Sequence, residues 1–237
     1  MERPTQSDFY ALLQCVREIY AHVGLETFQA QVLSALSKVI PAEAIIWTEI
    51  DLQRPRVKAE AKPPEALPPD TELVLARHLN EHPLINHYLQ THDSRAVKLS
   101  DLLPRRQFHR MALYQELYRP MGAEYLMTVW LPSPSPPLIS IASIRGWPDF
   151  SERDRLLLSL LQPHLLQAYR NAEAISQMEL KLDGLGRAVE ESDRGMVLLT
   201  PEGQVQWMTG QAQHWVEEYF GKFPDIHSLP AALWRWV

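Results

Sequence analysis

The sequence predicts an α+β protein in which an antiparallel sheet is flanked by helices and followed by a long helix and a smaller α/β unit. Three observations predict it. Apolar residues recur at helical spacing as far as Ile40, then condense into the short continuous run Ala44–Ile50, which suits a buried strand. The segments Glu124–Leu131 and Leu138–Arg145 are strand-like and separated by PSPSPP, as in an antiparallel hairpin. From Asp149 the helical period returns and persists to about Val189.

The composition narrows the function classes. A length of 237 residues allows one large domain or two small ones. Lys and Arg number 23 against 29 Asp and Glu, a formal charge of −6, so the chain is not a basic nucleic-acid binder and any DNA-reading surface must be local or missing. With 46% hydrophobic and 22% charged residues, disorder of the whole chain is excluded. The single cysteine, Cys15, makes no intrachain disulfide, and no Cys/His array has zinc-ligand spacing, which points to a reducing cytoplasm. The start, MERPTQSDFY, lacks the apolar stretch of a signal peptide. The longest apolar runs, Leu126–Leu131 and Leu156–Leu161, fall far short of the ~18 residues of a membrane span. Neither GxGxxG nor GxxxxGKS/T occurs, which argues against nucleotide chemistry.

Taken in order, Phe9, Leu12, Leu13, Val16, Ile19, Tyr20 and Val23 form one stripe, with Ser7 or Asp8 placed to cap the helix and Gly24 to stop it. Phe28, Val32, Leu36, Val39 and Ile40 form a second, ended by Pro41. Arg56–Ala61 is the return strand after Ala44–Ile50. KPPEALPPD, residues 62–70, holds four prolines and is a connector. A helix from Thr71 is broken at His82-Pro83, and another runs from about Leu84 to Thr91. Asp101–Pro104 lead into a helix bearing Phe108, Met111, Ala112, Gln115, Leu117 and Tyr118.

Ser151 and Asp154 have capping-box spacing at the start of the long helix, and Pro163 would kink or restart it. Its residues Leu161, Leu165, Ala168, Ala172, Ile175, Glu179, Leu182, Gly186 and Val189 step by four and three. That seam fits either a parallel dimer coiled coil or packing on its own domain. After Gly195, Met196–Thr200 and Gln204–Met208 flank the turn Pro201-Glu202-Gly203, and the helix Gln211–Phe220 follows. Three tryptophans from Trp215 to Trp236 need a surface to bury against.

Chemistry is sparsely signalled. His78 and His82 lie four apart, as metal ligands on one helix face would, but HLNEH is not HExxH and no third ligand is implied. His109 and His164 sit beside apolar residues, the setting of half-buried structural imidazoles. Cys15 falls on an apolar face, as a structural thiol does, and there is no GxSxG elbow. No catalytic residue and no metal is therefore assigned. Trp47, Tyr114, Tyr118 and Trp130 could line one cavity, since ligand pockets are apolar with a few polar tips, or they could simply be core.

The stretch LSDLLPRRQFHRMALYQELYRPMGAEYLMTVWLP and the later DFSERDRLLLSLLQPHLLQAYRNAEA resemble the sensor region of bacterial LuxR-type helix-turn-helix transcriptional regulators with a GAF-like domain. ARHLNEHPLINHY looks like the preceding helices of that family, GMVLLTPEGQVQWMT is similar to the start of a PAS-like module, and SLPAALWRWV to a lead-in to later segments. The resemblance covers the chain from about Asp70 onward. It implies a GAF-like sensor domain over residues 1–150, a connecting and dimerisation helix over 151–193, and a partial PAS-like module over 194–237. It further implies a cytoplasmic homodimer that binds a small molecule or a partner, is not an enzyme, and has no contact with a membrane. The candidate ligand contacts are Trp47, His109, Tyr114, Tyr118 and Trp130; the ligand and any cofactor stay unnamed. Such regulators finish with a four-helix DNA-reading domain, which this sequence lacks. DNA contact is expected only through a carboxy-terminal domain absent from it. Cys15 lies outside the GAF-like pocket region, so thioether attachment of a bilin is not expected. The competing classes are a metal-dependent enzyme using His78 and His82, and a structural interaction module without ligand.

Overall fold

The computed structural model describes residues 4–21, 24–54, 56–132, 137–190, 194–201, 204–221, 230 and 232–233. The chain divides into two compact units, Met1–Ile175 and Ser176–Val237. In the first, α1 (Gln6–Tyr20) and α2 (Leu25–Leu36) precede the strands β1 (Ala44–Asp51) and β2 (Arg56–Lys62). Then come α3 (Thr71–Arg77), α4 (Pro83–Thr91), the two-residue strand β3 (Val97–Lys98), and the short helices α5 (Leu99–Leu102) and α6 (Arg105–Phe108). A π-turn, Tyr114–Tyr118, leads to β4 (Tyr125–Leu131), β5 (Leu138–Arg145) and the long helix α7 (Glu152–Glu190).

All neighbouring strands pair antiparallel, in the order β2-β1-β5-β4-β3. Because side chains alternate along a strand, each strand sends every second residue to one face. Ile45 and Trp47 of β1, Met127, Val129 and Leu131 of β4, and Ile139 and Ile141 of β5 meet α1, α2 and the first part of α7. Ala44, Ile46 and Ile50, Leu126 and Trp130, and Ile144 meet the layer made by α3 to α6 and the π-turn.

Several expectations are refined by local chemistry. Thr5, not Ser7 or Asp8, caps α1: its Oγ1 accepts the Asp8 amide at 3.3 Å while the Asp8 carboxylate accepts the Thr5 amide at 2.6 Å, so Asp8 is the distal half of a capping box. Phe9, Leu13 and Tyr20 face solvent, and Leu12, Cys15 and Ile19 are the buried stripe. Val23, residues 133–136 (SPSP) of the hairpin connection, Glu202, Gly203, Trp234 and Trp236 lie outside the described residues. The single helix foreseen after Asp101–Pro104 is instead two pieces, α6 and the π-turn, while the lead-in itself holds part of α5, which ends before Pro104. Ser151 and Asp154 do form the reciprocal bonds that open α7, and the helix continues through Pro163. Leu161, Leu165, Ala168 and Ala172 of the seam are buried in the first unit, whereas Leu182 is exposed.

Arg145, buried at the end of β5, joins three segments. Its guanidinium donates to the carbonyls of Pro41, Pro148 and Asp149 and to the Asp154 carboxylate, and lies 4.1 Å from the Phe150 ring centre. A buried charge is tolerated only when its donors are met in this way.

The second unit contains the hairpin β6 (Val197–Leu199) and β7 (Val205–Met208), followed by α8 (Gly210–Phe220). Thr209 caps α8 through its hydroxyl, which accepts the Ala212 amide at 3.1 Å and the Met196 amide at 3.0 Å. Gly195 is required where it stands: a Cβ there would lie 2.7 Å from the Trp215 ring. Among the described residues, no helix is long and apolar enough to cross a membrane.

Candidate functional site

A cavity of about 40 Å³, room for on the order of three waters, lies between the sheet and the α3–α6 layer. Strand alternation builds its floor. Ala59, Thr48, Ser140 and Trp130 are cross-strand partners in one row over β2, β1, β5 and β4. Ile46, Ala142 and Thr128 form the adjoining row. The opposite wall comes from Leu75, His82, Ile85, Leu117, Tyr118 and Met121.

Tyr118 and His82 are joined: the imidazole Nε2 and the phenol oxygen are 2.7 Å apart. Burial pushes the His82 pKa down to about 4, so this imidazole is neutral at pH 7, and burial raises the Tyr118 phenol well above its usual range. Trp130 is stacked on Tyr88 of α4, with ring centres 4.7 Å apart, and its carbonyl accepts from Gln162 of α7 at 2.9 Å. The stack holds the ring from the α3–α6 side, and the carbonyl bond ties the β4 backbone to α7. Trp130 Nε1 and His82 Nδ1 find no hydrogen-bond partner among the described residues. A buried polar group left unpaired costs about 1–3 kcal/mol. Among the described residues, the lining contains no Asp, Glu, Lys or Arg.

Of the five aromatic candidates, the structure brings Tyr118 and Trp130 to the cavity. Trp47 is on the other face of the sheet, because it is one residue out of phase with Ile46 and Thr48. There it packs against Phe28 and Tyr169, and its indole N–H donates to Glu49 at 3.2 Å. His109 and Tyr114 stack on each other at 4.3 Å and both bond Glu124, at 2.6 and 2.7 Å, outside the cavity lining. Arg105 of α6 completes that cluster at 2.8 Å, and through Tyr114 the cluster anchors the π-turn to the start of β4. Thr48 and Ser140 were not singled out from the sequence. Their signal was strand parity, since each is a polar residue at a buried position in the same phase as Trp130 or its cross-strand partner.

His78 and His82 do not converge. The His78 imidazole bonds Glu81 at 2.5 Å and Glu116 at 3.1 Å, while His82 faces Tyr118. Among the described residues, no three His, Cys, Asp or Glu side chains form a group able to hold a metal ion. Cys15 is buried, and burial raises its thiol to about 12, where it is not nucleophilic at neutral pH.

No protein-family model matches the sequence, and neither does any curated protein. Solved structures do match. The phycoerythrobilin-bound GAF domain from a cyanobacterial phytochrome aligns with a TM-score of 0.54 at 10% identity, covering 73% of this chain and 100% of that one. The VqsR LBD domain from Pseudomonas aeruginosa gives 0.51 at 9% identity over 72% of this chain and 98% of its own. The GAF domain from Acinetobacter phosphoenolpyruvate-protein phosphotransferase gives 0.51 at 16% identity over 73% and 98%. The fold is GAF-like: a five-stranded antiparallel sheet with flanking helices and a long helix.

Proposed function

We propose that the chain is the sensory portion of a LuxR-type transcriptional regulator: its GAF-like domain binds a small molecule in the cavity, and a homodimer transmits the change. The observation that carries this reading is the cavity itself, apolar with neutral polar tips, on one face of the sheet and with two buried nitrogens unpaired by the protein. The resemblance of Leu99–Ala174 to the regulator family supports the setting. A ligand that engages one arrangement of the dimer better than another shifts the population between them. DNA contact belongs, in this reading, to a carboxy-terminal domain outside this sequence, and the protein works in the cytoplasm.

The dimer surface follows from what the core leaves over. With Leu161, Leu165, Ala168 and Ala172 buried, exposed apolar residues on the first unit's helices include Phe9, Leu13 and Tyr20 of α1 and Leu156 and Leu160 of α7, and those farther along α7 include Met178, Leu180, Leu182 and Leu185. A binding role, not catalysis, is inferred: the histidines that would serve a metal enzyme face different partners, and the cysteine is buried.

Native mass spectrometry of the purified protein, followed by a thermal-shift screen of small metabolites, tests the proposal. A copurified compound or a ligand that raises the melting temperature is expected. Failure of both would favour a structural interaction module instead. A monomer in sedimentation at tens of micromolar would remove the dimer.

A further inference from the structure

We infer that His78 is a proton-operated clasp: its imidazolium ties α3 and the single turn Leu79–Glu81 to the π-turn, and the tie loosens when the ring loses its proton. The clasp lies outside the cavity lining, and its working does not depend on the sensor reading.

Two bonds lace the same pair of segments, residues 78–82 and 116–118. The inner one, between His82 and Tyr118, joins two cavity-lining side chains. Burial holds the His82 imidazole down at about 4, so this bond keeps its protonation state across the neutral range. The outer one is ionic. His78 follows the last residue of α3, and its side chain is 10% exposed. Both of its ring nitrogens meet carboxylates: Nδ1 lies 2.5 Å from Glu81 Oε1, and Nε2 lies 3.1 Å from Glu116 Oε2. The same Glu116 oxygen accepts from Arg77 Nη1 at 2.8 Å. Glu81 immediately precedes His82, and Glu116 precedes Leu117 and Tyr118, so the outer bond holds the two stretches of backbone that carry this wall.

A carboxylate only accepts, so each of the two contacts needs a proton on the ring nitrogen. The imidazolium has both protons; the neutral ring has one, and its other nitrogen then turns a lone pair toward negative oxygen. Deprotonation therefore replaces one attraction by a repulsion. A histidine side chain ordinarily changes charge between about pH 5 and 8, where carboxylates and guanidinium groups do not. The Glu116 carboxyl is held below its usual range, most of all by His78 and further by Arg77. Among the described residues, the charged groups against the ring are Glu81 and Glu116, with Arg77 behind the latter. Other nearby groups are engaged elsewhere: Arg119 with Gln115, Glu72 with the Ala59 amide, and His109 with Glu124. Both carboxylates are partly exposed, so water screens the pair and the effect is moderate.

Amide hydrogen exchange of the full chain at pH 6 and pH 8, each rate divided by the intrinsic rate at that pH, tests the clasp. It is read at the Arg119 and Ala123 amides, which donate to the Tyr114 and Tyr118 carbonyls and close the π-turn. In wild type their protection should fall about fivefold from pH 6 to pH 8. In His78→Gln, whose side chain does not titrate, the fall should shrink below about twofold. In Glu116→Gln it should shrink likewise, because the amide can donate to a neutral ring and the tie survives deprotonation. His109, bonded to Glu124 near the start of the π-turn, titrates with its own partner and is untouched by either variant. A wild-type fall that persists in the variants therefore assigns the pH response to His109 and overturns the clasp. Equal protection at the two pH values in wild type overturns it without any variant. Should His78→Gln fail to fold, Glu116→Gln, at a partly exposed position, decides the matter alone.

Discussion

Trp47 and Trp130 lie on strands separated only by β5, each 1% exposed, yet they belong to opposite layers with different chemistry. Around Trp47 the packing is closed: Phe28 and Tyr169 flank the ring at about 6 Å and Glu49 takes its N–H. Around Trp130 a stacked ring borders a cavity and the N–H is unmet by the protein. The α1–α2–α7 layer is therefore closed packing on the sheet, and the α3–α6 layer encloses a cavity against it.

The largest expected difference comes from the two tryptophans. Trp47→Ala should destabilise the chain by about 3–5 kcal/mol, the cost of an aromatic-sized void in a packed core. Trp130→Phe should change stability by less than about 1 kcal/mol, since the lost N–H makes no bond in the protein and the ring volume is largely kept. Trp47→Phe should cost more than Trp130→Phe because it also loses the indole N–H bond to Glu49, and urea unfolding of the three variants checks this. A Trp130→Phe cost above that of Trp47→Phe would break the contrast between the layers.

This contrast also marks what could be read from the sequence. The strands at Ala44–Ile50, Glu124–Leu131 and Leu138–Arg145 were legible because branched and aromatic residues cluster there between prolines and turn residues, and α2 because its stripe is clean. Strand β3, two residues long, leaves no period to detect. The stripe of α1 misled because aromatic and leucine residues also occupy its solvent side, so hydrophobicity alone could not assign the face. For the site, Tyr118 and Trp130 were visible as aromatics near one another in the fold. Trp47 failed for a single-residue reason: without the register, nothing in AIIWTEID says which parity faces the cavity. His82 was noticed only as a metal candidate, because its partner, Tyr118, is 36 positions away.

A second difference between the layers is their response to acid. In the folded chain the His82 imidazole titrates at about 4, against an ordinary value of 6.5, because burial disfavours its charged form. Between those values the unfolded chain binds more protons than the folded one. The His82 contribution to stability is therefore full above pH 6.5, falls as the pH drops toward 4, and levels off below, a loss on the order of 3 kcal/mol. Urea midpoints at pH 7, 5.5 and 4.5 measure it. In His82→Phe the slope across this window should be shallower than in wild type; identical slopes would mean that His82 is solvated and the cavity wall open.

The smallest effect separates support from site within the cavity-bearing layer. Burial favours the neutral form of Glu124, but hydrogen bonds from Tyr114, Arg105 and His109 outweigh it and hold this carboxyl down to about 2. A depressed carboxylate stabilises the fold fully above its unfolded value near 4.5 and loses that contribution as the pH falls toward 2. Glu124→Gln keeps an acceptor oxygen but removes the charge, so it should cost about 1 kcal/mol at pH 7, reduced by partial exposure to solvent, and flatten the acid limb of the stability curve below pH 4.5. Because the cluster anchors the π-turn without lining the cavity, the affinity at pH 7 for a compound found in the thermal-shift screen should stay within about threefold of wild type, a shift of well under 1 kcal/mol. A larger loss of affinity would show that the π-turn carrying Tyr118 depends on Glu124 for its position, and would move His109 and Tyr114 from scaffold into the ligand site.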